Sequence, residues 1–113
     1  MPKPTDEDRR HFEALVPDDP RVAVKPMFGN LGAFVNGNMF MGLFGSDIGV
    51  KLAPDEAAAL RSIDGAGPFG PAGRPMGGYV TLPPALVGTP DGDRWAAEAL
   101  AHVGAMRPKA PRR

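Results

Sequence analysis

The 113-residue chain contains no cysteine. That removes disulfides, cysteine-bound zinc and thiol nucleophiles together, and it fits a reducing compartment. Histidine is nearly absent too: His11 and His102 fall on separate expected helices without ligand-spaced carboxylates, so no metal set forms. The only serines, Ser46 and Ser62, belong to a turn and a helix end, outside any Gly-x-Ser-x-Gly nucleophile context. No excess of charge exists, with 13 basic and 13 acidic residues, so no global field draws the chain to nucleic acid or membrane. No run approaches the ~18 apolar residues of a membrane span. The N-terminal MPKPTDEDRRHF lacks the apolar stretch of a signal peptide. The expectation is a soluble, cytoplasmic protein without cofactor, metal or membrane contact.

Glycine and proline are plentiful, 15 and 14, and they stand between periodic segments. This describes a small domain with many tight connections. We expect a single domain over residues 1–113, ordered from about 5 to 106, with a basic tail at 107–113. Thr5-Asp6-Glu7-Asp8 opens a helix, with a capping hydroxyl and acidic residues at the positive end of the dipole. The Pro17–Pro20 stretch stops it. A brief strand from Val22 to Lys25 is expected to end at Pro26. Pro54-Asp55-Glu56 starts a second helix, and Thr89-Pro90-Asp91 a third that runs to about Met106. Its face carries Trp95, Ala99 and Val103.

The strongest local signal is Asn36-Gly37, which favours a type I′ hairpin turn between Leu31–Val35 and Asn38–Phe44. A two-residue turn sets Val35 opposite Asn38, Phe34 opposite Met39 and Ala33 opposite Phe40. With another tight turn at Gly45-Ser46, alternation assigns the faces. Phe34, Met39, Met41, Leu43, Ile48, Val50 and Leu52 form one wholly apolar face, expected to carry the helices. Leu31, Ala33, Val35, Phe40 and Phe44 share the other with Asn38, Asp47 and Lys51. That second face is too apolar to be simply wet, and its Leu31, Val35, Phe40 and Phe44 are the expected homodimer interface.

Other chemistries fit poorly. Gly65–Gly73 lacks both a Gly-Lys-Ser/Thr ending and a Gly-x-Gly-x-x-Gly pattern, and its prolines remove N–H donors. The acidic pairs Asp18-Asp19 and Asp55-Glu56 are explained as helix-end residues. No catalytic residue emerges. The open question concerns Lys25, Lys51 and Arg74, near Met27, Phe28 and Met76. Converging, they would form an anion- or partner-binding edge; dispersed, they are solubilising charges. The tail offers at most weak, salt-sensitive attraction to DNA.

Val24-Lys-Pro-Met-Phe-Gly29, the hairpin Gly32–Phe40, Val50-Lys51-Leu52, Pro68-Phe69, Gly73-Arg-Pro-Met76 and Tyr79–Pro83 resemble the TfoX/Sxy N-terminal domain family from about Phe12 to Gly104. The resemblance implies an α+β fold with a mainly antiparallel sheet of about four to five strands and helices on one face, similar to type III secretion chaperones. It implies no cofactor and no known catalytic residues. It also implies a non-enzymatic regulator, because full-length members govern DNA-uptake competence alongside a transcription activator. Those members carry a second, C-terminal domain, and this chain ends about where that would begin. Transcription machinery is the partner the resemblance implies.

Overall fold

The computed structural model describes residues 3–27, 30–70 and 77–106. Helix α1 (Asp6–Leu15) starts as its sequence dictates. The Asp8 amide donates to Thr5 Oγ1 at 3.0 Å, and the Thr5 amide donates to Asp8 Oδ2 at 2.9 Å, a reciprocal cap that satisfies two otherwise orphaned donors. Strands β1 (Val22–Met27), β2 (Asn30–Val35), β3 (Asn38–Phe44) and β4 (Asp47–Lys51) follow as a meander. Then come α2 (Pro54–Arg61), the two-residue β5 (Gly67–Pro68), β6 (Tyr79–Thr81) and α3 (Pro90–Gly104). A 3-10 turn, Pro84–Leu86, precedes α3.

The strands form one antiparallel six-stranded sheet, ordered β1-β2-β3-β4-β6-β5. The fold is α+β, with one strand more than the upper expectation. The extra strand is β5, hidden in the Gly/Pro-rich connection. Pro26 does not end β1, which continues to Met27. An edge strand tolerates a residue without an N–H on its open side, and β1 is such an edge.

Asn36 and Gly37 take φ values of 53° and 80°, the positive pair that a type I′ turn needs. The register Val35↔Asn38 and Phe34↔Met39 agrees with that turn. The expected pair Ala33↔Phe40 does not form: Ala33 stands opposite Met41. Phe40 is therefore an extra residue, a β-bulge, and the alternation changes parity beyond it.

The parity change corrects the faces. Leu31, Ala33 and Val35 lie on the same side as Met41, Leu43, Ile48 and Val50. These residues, with Phe40, Val80 and Leu82, join Phe12 and Leu15 of α1, Leu60 of α2 and Trp95, Ala99 and Val103 of α3 in one core. Phe34 and Met39, expected in that core, turn to the opposite face. Val35 and Phe40 are 0% exposed and Leu31 packs against the core; these three expected dimer-interface residues hold the monomer together. Phe44 is half-buried on the opposite face. Each large apolar side chain in such a core contributes roughly 1.5–3 kcal/mol through burial. Helix α3 spans β2, β3 and β4, α2 packs on β6, and α1 packs on α3. Among the described residues, no helix is long and apolar enough to cross a membrane.

Candidate functional site

The helix-free sheet face is built around missing side chains. Lys25, Gly32, Gly42, Gly49 and Thr81 stand opposite one another on successive strands, one row across five strands. Phe69, just after β5, lies over the middle of that row. A Cβ on Gly42 would come within 3.2 Å of its ring, and one on Gly49 would collide with it. The two glycines thus form a ring-sized slot, and Phe69 is only 4% exposed there. Thr81 Oγ1 donates to the Pro68 carbonyl at 2.8 Å and fixes the short β5 beside it.

Tyr79 walls the slot, its ring centroid 6.0 Å from that of Phe69. Its hydroxyl donates to the Met39 carbonyl at 2.7 Å. Burial pushes the phenol pKa up to about 12, because the charged form would lose water. Lys51 Nζ lies 5.5 Å from the Tyr79 centroid, and Lys25 Nζ lies 5.6 Å from that of Phe34. Both are cation–π contacts.

Lys25 and Lys51 share this face yet do not converge. Three strand intervals separate β1 from β4, about 14 Å, so each ammonium rests on its own ring. Met27 holds the last position of β1, opposite Asn30. Phe28, Arg74, Met76 and the 107–113 tail lie outside the described residues.

The β1 edge differs from the rest of the sheet. Ala23, Val24, Lys25 and Pro26 are all exposed. Val24 points to the helix side, opposite Ala33, but α3 lies across β2 to β4. Among the described residues, Val24 is the large hydrophobic side chain left exposed, at 39%.

These paired surfaces and the sheet that carries them fall within one matched span: a family model for the TfoX N-terminal domain fits residues 12–103. The chain belongs to the TfoX N-terminal domain family. No curated protein matches it. The TfoX N-terminal domain match takes in all six strands and α2, and runs from the last turn of α1 almost to the end of α3. It therefore contains the β1 edge, the glycine slot and both lysines.

A cleft of about 430 Å³ opens elsewhere, between α1, the β3–β4 turn and the start of α3. Asp8, His11, Asp47 and Asp93 contribute to it. Sequence reading did not single it out, because these positions are far apart in the chain. Asp8 there explains a helix cap, and Asp47 follows a turn. Among the described residues, no group of three acidic or histidine side chains is placed to hold a metal.

Proposed function

We propose that this TfoX N-terminal domain is a small, non-enzymatic regulatory module that acts by protein–protein contact, with β1 as the contact surface. The supporting observation is the six-residue open edge whose Ala23, Val24, Lys25 and Pro26 are exposed. An unpaired strand edge offers a row of backbone donors and acceptors to another chain. Val24 adds an apolar anchor on the helix side, and Lys25 adds charge on the other. The first partner is a second copy, giving a homodimer; the second is a protein of the transcription apparatus, in line with the family's tie to competence regulation. The module works in the cytoplasm.

Affinity capture from the native cell tests the partner reading, using the wild-type chain and a Val24→Asp/Lys25→Glu variant whose fold is checked by circular dichroism. The expected outcome is a bound protein retained by the wild type and lost by the variant. Identical captured sets would contradict β1 as the contact surface.

A further inference from the structure

The backbone groups of an antiparallel strand alternate sides, so every second residue of β1 faces β2 and the others face outward. The Val22 amide donates to the Asp19 carbonyl at 3.0 Å, outside the sheet, which places Val22 among the outward residues. Val24 and Pro26 follow by alternation, while Ala23, Lys25 and Met27 face β2. Pro26 has no N–H, and the N–H of Val22 is already spent on Asp19. Of the three outward residues, Val24 alone carries an amide that is neither spent nor missing.

The side chains divide in step. Val22, Val24 and Pro26 stand on the helix side, opposite Val35, Ala33 and Leu31, and form an apolar stripe along the edge. Lys25 stands on the helix-free side, opposite Gly32. A lysine commonly guards an edge strand against pairing. This one seats its ammonium 5.6 Å from the Phe34 ring centroid, one strand in from the edge, and so draws its charge off the seam. An edge with an apolar stripe, a single central donor and its charge turned inward is complementary to a second copy of itself.

We propose that two copies pair antiparallel, β1 on β1, about a two-fold axis at Val24, and so join their sheets into one. The register presupposes β1 as the contact surface and fixes what meets what. Val24 faces Val24 of the second copy, and the two exchange both backbone bonds, N–H to C=O each way. Val22 then faces Pro26 of the second copy, which continues the apolar stripe, and Lys25 faces the small Ala23. Neighbouring registers leave the Val24 carbonyl without a donor. An axis at Ala23 sets it against the committed Val22 amide; an axis at Lys25 sets it against Pro26 and also opposes two lysines, which is destabilising. Two six-residue edges make a seam at the low end of interface sizes, below about 1,200 Å², so the dimer is weak and reversible.

The chain contains no cysteine, so a single introduced thiol reports the register by disulfide formation. Positions 23, 24 and 25 are exposed, and each is replaced alone in the full chain: Ala23→Cys, Val24→Cys and Lys25→Cys. A disulfide needs Cα atoms within about 6.8 Å. Directly opposed residues meet this, whereas diagonal ones stand about 7–8 Å apart. Val24→Cys is expected to link to itself under mild oxidation. Ala23→Cys and Lys25→Cys alone should link at least tenfold more slowly, and a mixture of those two should link as fast as Val24→Cys. In the wild type, hydrogen exchange at the Val24 amide should slow as chain concentration rises, while the Lys25 amide stays unchanged. Self-linking of Ala23→Cys or Lys25→Cys as fast as that of Val24→Cys would overturn the register and leave β1 standing as the contact. A wild type that dimerises while none of the three variants links would overturn the register and the β1 contact together.

Discussion

Gly49 has no side chain because the Phe69 ring occupies the space one would need. Overpacking a filled site costs typically 1–3 kcal/mol, so Gly49→Ala should destabilise the fold by about that much. Gly42→Ala should cost less, since its Cβ would meet the ring edge at 3.2 Å. Truncating a buried Phe costs roughly 3–5 kcal/mol, the expected loss for Phe69→Ala. Urea titration of the Gly49→Ala/Phe69→Ala pair should then show strong coupling, with Gly49→Ala nearly harmless once the ring is gone. Additive losses would contradict the slot. Both glycines were visible inside strand patterns, but the residue that explains them lies on a later connection that no local pattern links to them.

Tyr79 makes a second prediction at this scale. The native state holds the phenol proton more tightly than the unfolded chain does, about 12 against the ordinary 10.0. Its contribution is therefore complete below pH 10 and declines as pH rises from 10 toward 12. Unfolding midpoints measured across that range should fall for the wild type and fall less for Tyr79→Phe. A Tyr79→Phe profile as steep as the wild type's would contradict the assignment.

At the scale of elements, residues with a local mechanism were legible. Thr5 with Asp8, Asn36 with Gly37, Pro54 and Thr89 each mark a boundary through a hydrogen bond or a backbone preference that neighbouring residues reveal. What escaped depended on cross-strand pairing. One extra residue at Phe40 inverts the parity of β3 against β2, and alternation counted along the chain cannot register it. Two residues of β5 are too few to leave a pattern. Phe40 shows this shift in parity most directly. Since its side chain is core, Phe40→Ala should cost roughly 3–5 kcal/mol of stability by chemical denaturation. Unchanged stability with altered association would restore it to an interface.

Across the whole molecule, one face of the sheet carries the helices and the other carries a strap residue, two ring-seated lysines and a glycine row. The sheet extends past the helices at β1. The family was readable from KPMFG, the hairpin and RPM taken in order; of these, Lys25-Pro26-Met27 closes the edge strand and Asn36-Gly37 makes the central turn, while Arg74-Pro75-Met76 lies outside the described residues. The cleft was not, because positions 8, 15, 47, 82 and 93 come to line one cavity only after folding. Of the two candidate surfaces, β1 bears the functional claim, and self-association reads it most directly. Sedimentation equilibrium of the wild type and Val24→Asp, up to millimolar chain, is the deciding measurement. The expected result is a reversible wild-type dimer, and a monomeric Val24→Asp chain of unchanged circular dichroism. A wild type that stays strictly monomeric across that range, or a Val24→Asp chain that dimerises equally well, would contradict it.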